Sequence, residues 1–152
     1  MADPAVGEKA LTAAELQALM DRAFPQSAGI GDIDALPPGG ARVRRRVGDG
    51  DLRPGGTLSG PTLMALADYA FYLALLSEIG PETLAVTTSL SIHFLRKPPV
   101  ADLVAEAEIL KIGRRLAVGE VRIYSDGEER PVAQATVTYS IPPRRTASPA
   151  GG

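Results

Sequence analysis

The chain has 152 residues, 45% of them hydrophobic and 22% charged, with a formal net charge of −2. That is enough for one soluble domain with its own core, and it gives no global attraction to nucleic acid or to an anionic membrane. With no cysteine and a single histidine, His93, disulfides, thiolate chemistry and histidine-cluster metal sites are excluded, so no metal is expected; with no signal-like start either, the expected location is the cytoplasm.

Residues 1–10 are small and polar and are expected to be flexible. Thr12 with Glu15 three residues later is a capping-box signature. It opens a short amphipathic helix through about Phe24, with Leu16, Leu19, Met20 and Ala23 as the apolar stripe. PQSAGIGDIDALPPGG reads as loop and ARVRRRVG as the first strand. Its arginines, Arg42, Arg44, Arg45 and Arg46, read as a solvated face or edge, with phosphate binding as the lesser alternative.

Between Arg53 and Glu78 the only charged residue is Asp68. Leu63, Leu66, Ala67, Ala70, Phe71, Ala74 and Leu75 recur at helical spacing, and Met64, Ala65, Tyr69, Leu73 and Leu76 leave almost no polar side. The helix is therefore expected to be enclosed nearly all round, with Asp68 buried in it. A carboxylate out of water needs a partner or a purpose. Ser59 is the candidate N-cap and Pro61 falls in the first turn, where free backbone N–H groups make an anion site.

LAVTTSLSIHFL (84–95) alternates, with Leu84, Val86, Leu90, Ile92 and Phe94 on one face and Thr87, Ser89, Ser91 and His93 on the other. LVAEAEIL, RLAVGEVRIYS and VAQATVTYSI follow as strands, the last two joined at an Asp126-Gly127 turn, so an antiparallel meander is expected. IPPRRTASPAGG reads as a tail. The expected organisation is a flexible start (1–10), a single domain (11–141) and a disordered tail (142–152). Its class is α+β, with five to six antiparallel strands wrapped around one long central helix, preceded by a short helix. Such a sheet covers only part of so apolar a helix, and a second copy of the chain is expected to cover the rest.

Three segments in this order, GTLSGPTLMALADYAF, SLSIHFLRKP and LKIGRRLAVGEVRIYS, resemble motifs of one family. They are similar to a helix start G-x-x-H-G-G-x-x-x-x-L-A-D-x-A, a strand ending N/D-F-L-R-P and a hairpin K-x-G-R-x-x-x-x-x-V-x-V. The family is the hotdog-fold acyl-CoA thioesterases, of the phenylacetate-pathway and 4-hydroxybenzoyl-CoA types, and the resemblance covers about residues 42–141. It implies hydrolysis of an acyl-CoA to free acid and CoA, with CoA present only as part of the substrate and no other cofactor. Asp68 matches the carboxylate that attacks the thioester or activates water, and Gly60 the glycine whose N–H polarises the carbonyl. In the family these two come from different subunits, implying a homodimer or a dimer of dimers.

Tyr72, one turn beyond Asp68, matches a position where some members carry a water-orienting Ser or Thr. Ser59 stands where the family usually has His, Pro61 replaces the second glycine, and Arg53 stands where an Asn or Gln commonly contacts the thioester or water. An arginine there is expected to place a cation beside Asp68. Arg96, Lys97, Arg114 and Arg115 fall at strand ends near the family's CoA entrance, either as ordinary surface cations or as contacts to CoA phosphates.

Other classes stay open. A non-catalytic acyl-CoA-binding or sensing module would explain Ser59 and Arg53 as lost chemistry. A hotdog hydratase or dehydratase would need a histidine beside a carboxylate, for which the lone His93 is a poor candidate. For Asp68 the competing reading is a carboxylate satisfied by backbone or hydroxyl groups that holds a dimer together. Tyr69 and Phe71 read as core, and Tyr124 and Tyr139 carry no assignable signal.

Overall fold

A computed structural model describes residues 6–143, so the expected tail lies outside the described residues from 144 onward. The first helix, α1 (Ala13–Ala23), starts as the sequence predicts: the Glu15 amide donates to Thr12 Oγ1 and the Thr12 amide to the Glu15 carboxylate, both at 3.1 Å. Leu16, Leu19 and Met20 are buried. The following stretch is not all loop. A 3-10 turn (Pro25–Ser27) leads into β1 (Asp32–Ala35), which pairs with β2 (Gly40–Arg45). An alternation of four residues is too short to be recognised without the neighbouring strand it pairs with.

A hairpin of β3 (Leu52–Arg53) and β4 (Thr57–Leu58) turns through Gly55 and Gly56, at φ of +95° and +71°, and delivers the chain to α2 (Gly60–Ile79). Ser59 is the N-cap and Pro61 lies in the first turn. From Leu66 to Leu76 no apolar side chain is more than 6% exposed. The helix has the length and apolarity of a membrane span, yet 78% of its apolar window is buried within the chain. Part of the expected loose start is fixed against its end: the Gly7 amide and Lys9 Nζ reach the Glu78 carboxylate at 2.5 and 3.2 Å, and the Ala10 amide reaches Ser77 O at 2.7 Å.

The sheet that wraps α2 has six antiparallel strands in the order β1-β2-β6-β7-β8-β5, with β5 (Val86–Phe94), β6 (Leu103–Ile112), β7 (Leu116–Ser125) and β8 (Ala133–Ser140). This is the hotdog arrangement. The meander expected over the last four strands holds only for β6, β7 and β8. The β5–β6 connection carries Pro98 and Pro99, which deny a tight turn its amides, and β5 instead lies beyond β8 at an open edge. Phe71 presses against β7 where Gly119 stands, and any Cβ there would overlap the Phe71 ring and the Glu108 carbonyl.

Enclosure of α2 is incomplete within one chain. Pro61, Met64 and Ala65 are exposed and Asp68 is half-buried. These positions recur at three- and four-residue spacing and so form one uncovered stripe.

Candidate active site

Asp68 is held by a cross-strand pair. Thr87 of β5 and Tyr139 of β8 oppose each other in the ladder, and their hydroxyls donate to the same carboxylate oxygen, Oδ1 of Asp68, at 2.6 and 2.7 Å. Simple alternation puts Thr87 on the polar outer face of β5. The structure corrects this: the register slips by one between Thr87 and Ser89, and this bulge turns Thr87 onto the helix-facing side beside Tyr139. Two donors on one oxygen fix the carboxylate plane. Among the described residues nothing donates to Oδ2. Burial, and then the adjacent Asp68 charge, push the Tyr139 hydroxyl well above the ordinary tyrosine value, so it remains a donor.

Around this carboxylate lies a cavity of about 520 Å³, lined among others by Phe24, Ile30, Tyr69, Tyr72, Val86 and Tyr139. Phe24, just past the end of α1, stands edge-on to Tyr69 and Tyr72 with ring centroids 6.4 and 6.1 Å apart. Tyr72 does line the pocket, as its place one turn beyond Asp68 predicts. Its hydroxyl, however, donates to Thr83 O at 2.8 Å, so the hydroxyls at the carboxylate are those of Thr87 and Tyr139. Burial, and then the neighbouring Tyr69, push Tyr72 up to about 12. The Tyr69 hydroxyl donates to Ser27 Oγ at 3.2 Å. All three tyrosine hydroxyls are thus engaged by the protein, and the rest of the cavity wall is mainly apolar apart from Asp68, Thr83 and Thr87.

A second cavity of about 560 Å³ opens at the N-terminus of α2, where Arg53, Gly60, Phe94, Arg96 and Lys97 meet. Gly60 is the first helical residue, Pro61 has no N–H, and the Thr62 N–H donates to Ser59 Oγ at 3.4 Å. The Gly60 N–H is therefore the open donor at the positive end of the helix. Gly60 lies under the Phe94 ring, whose Cζ would be 3.3 Å from an added Cβ. Arg53, Arg96 and Lys97 form no ion pair among the described residues.

Within one chain the two cavities are separate. Gly60 and Asp68 are eight residues apart on one helix, a rise of about 12 Å, so they cannot hold the same carbonyl. Arg53 belongs to the Gly60 cavity rather than standing beside Asp68 in its own chain. Arg114 and Arg115 occupy the exposed β6–β7 turn. The pairing of Leu116 with Ser140, and of Ser140 with Val86, sets that turn at the Thr87 end of the sheet, away from Arg96 and Lys97. His93 is exposed opposite Gln134 on β5. Arg45, read as one of a solvated set, is instead ion-paired with the buried Asp51 at 2.5 Å. Sequence alone offers no signal for this pair, since Asp51 is one of several acids in a glycine-rich turn.

No curated protein sequence matches the chain significantly. A protein from a Silicibacter species assigned as a thioesterase is 46% identical over 90% of this chain and 95% of its own, with a TM-score of 0.82. A mutant form of the phenylacetic acid degradation protein PaaI from Thermus thermophilus is 32% identical, covering 77% of this chain and 98% of its own, at a TM-score of 0.67. The E. coli PaaI protein from the phenylacetic acid degradation operon is 25% identical, over 85% and 92% of the two chains, at 0.74. The sequence profile described as the thioesterase superfamily matches residues 55–132, a span that contains both the capped start of α2 and Asp68. Helix, sheet and profile agree, and the chain belongs to the thioesterase superfamily.

Proposed function

We propose that the chain hydrolyses acyl-CoA thioesters to free acid and CoA at two equivalent sites of a homodimer, each built from Asp68 of one chain and Gly60 of the other. The observation that carries this reading is the placement of the two half-sites at opposite ends of β5, the open sheet edge. Thr87 holds Asp68 near the start of β5, and Phe94 covers Gly60 at its end. Antiparallel pairing of two such edges about a twofold axis lays the start of one strand along the end of the other. It brings Asp68 toward the partner's Gly60 and covers the stripe of Pro61, Met64, Ala65 and Asp68. The same rotation gathers Arg114 and Arg115 with the partner's Arg53, Arg96 and Lys97, a cluster of free cations suited to the CoA phosphates.

In this site Oδ2 of Asp68 faces the thioester or a water molecule. It attacks the carbonyl carbon directly, giving an anhydride that water then cleaves, or it takes a proton from the attacking water. Either route puts negative charge on the carbonyl oxygen, where the partner's Gly60 N–H and its helix dipole receive it before the CoA thiolate leaves. Thr87 and Tyr139 hold the carboxylate at Oδ1, and the aromatic cavity takes the acyl group.

The test is thiol release by purified protein from a panel of acyl-CoAs, together with its oligomeric state, which also separates a dimer from a dimer of dimers. Turnover that falls by at least about 100-fold in Asp68→Asn is expected. Full activity in that variant overturns the role of Asp68. Tight acyl-CoA binding without turnover would instead mark a sensing module, hydration of enoyl-CoA a hydratase, and turnover only of acyl carrier protein thioesters a different carrier.

A further inference from the structure

The buried polar groups behind the start of α2 form a continuous relay that the proposed chemistry does not touch. It begins at the α1–β1 loop, where Arg45 Nη1 donates to Gly29 O at 2.8 Å and to Ile30 O at 3.0 Å. Arg45 Nη2 then grips Asp51 Oδ1 at 2.5 Å, while the Gly48 amide donates to Asp51 Oδ2 at 3.0 Å. Asp51, 6% exposed, holds both flanks of the Gly60-Pro61 pair. Its backbone carbonyl accepts the Ser59 N–H at 2.8 Å, and its Oδ1 accepts the Thr62 hydroxyl at 3.0 Å.

The direction of the proton chain follows. An ionised carboxylate only accepts, so the Thr62 hydroxyl must donate to Asp51. Thr62 Oγ1 lies 2.9 Å from Ser59 Oγ and has only lone pairs left, so the Ser59 hydroxyl donates to it. Ser59 is thereby left as an acceptor for the helix amides, with no proton to offer a substrate oxygen. This residue stands where the family usually carries His, and it is committed to the cap.

We infer that Arg45, Asp51 and Thr62 are positioning residues that aim the Gly60 N–H, holding the residues on both sides of it to β2 and to the α1–β1 loop. The inference rests on the function proposed above. Burial of an Arg–Asp pair is no gain in itself, because desolvation offsets much of the attraction; what the pair supplies here is a fixed direction for one backbone donor. Misalignment of such a donor is costly, since a displacement of about 1 Å is enough to lose up to 100-fold in rate.

The decisive variants are Thr62→Val, which keeps the side-chain shape and removes the hydroxyl, and Thr62→Ser, which restores it. Asp51→Asn is the harsher companion. Thr62→Val is expected to lower kcat about tenfold at unchanged KM and to shift the Gly60 amide nitrogen and proton resonances, and Thr62→Ser is expected to return both to within about twofold of the wild type. A fall in Tm with kcat per folded molecule and the Gly60 resonance unchanged overturns the inference and leaves only a structural role. If the wild type itself has no turnover, the proposed function fails, and the Gly60 resonance still decides this inference.

Discussion

The convergence of two hydroxyls on one oxygen of Asp68 makes a prediction with an internal control. In Tyr139→Phe the ring stays, so its packing against Phe71 and Tyr72, at centroid distances of 5.4 and 5.9 Å, is retained and the fold should hold. What is lost is the hydroxyl's 2.7 Å hydrogen bond to the carboxylate, together with its longer 3.2 Å contact to the Asp68 backbone carbonyl. Hydrogen bonds to charged groups contribute about 1.5–3 kcal/mol, which corresponds to about 10- to 150-fold in rate if the bond serves the reacting geometry in full. Tyr139 is 4% exposed, so no water replaces its hydroxyl. Thr87 is exposed in the single chain and lines the cavity beside Asp68, so in Thr87→Val a water molecule in that cavity takes over much of its 2.6 Å contact. The expected result is therefore an ordered pair: Tyr139→Phe loses at least about tenfold in kcat/KM and Thr87→Val clearly less. The assay is steady-state thiol release, with thermal melts to confirm that both variants are folded. Wild-type rates in Tyr139→Phe, or a larger loss in Thr87→Val, would refute the assignment of Tyr139 as the main anchor of Asp68.

Met64 is 42% exposed within one chain, so Met64→Lys should leave the single-chain fold intact while setting a charge in the proposed interface; sedimentation is expected to show dissociation, with activity lost in parallel. Replacing Arg96 and Lys97 together by Ala is expected to raise KM for acyl-CoA about tenfold with kcat little changed, with a weaker effect for an acyl-pantetheine, which lacks the phosphates, and a smaller difference at high salt. Burial alone would raise the Asp51 carboxyl, but the Arg45 guanidinium, the Gly48 amide and the Thr62 hydroxyl outweigh it and hold it below the 3.8 of a free side chain. A carboxylate depressed on folding stabilises above its unfolded value and loses that contribution as the pH falls through the folded one. Asp51→Asn is therefore expected to lower the urea midpoint at pH 7, and the gap to the wild type is expected to close as the pH drops below about 4.

Most of the fold can be read from local signals because its elements are long or carry explicit punctuation. The Thr12–Glu15 box, the Ser59–Gly60–Pro61 start and the Asp126-Gly127 turn act within four residues, and each appears where the residues put it. What is not legible is set by partners distant in sequence. β1 exists because β2 offers it an edge. β5 lies beyond β8 because the β5–β6 connection is long and carries two prolines, and no periodicity within either strand encodes that choice. Arg45 looks like its neighbours Arg44 and Arg46 until the chain folds Asp51 against it.

The candidate site divides along the same line. Asp68 and Gly60 stand out in sequence because a lone acid in an apolar helix and a capped helix start are chemically conspicuous. Thr87 and Tyr139 do not, because one extra residue in β5 decides which face Thr87 occupies, and a bulge has no composition of its own here. That single slip also bears on the assembly. It gives the start of β5 a hydroxyl for Asp68, while the regular part of the strand carries on to Phe94 over Gly60, so one edge strand has Asp68 at one end and the proposed oxyanion donor at the other. In the proposed dimer a twofold axis through the middle of such a strand would complete both sites at once, and one chain alone would complete neither. Dissociation should therefore abolish turnover without unfolding the helix that carries Asp68.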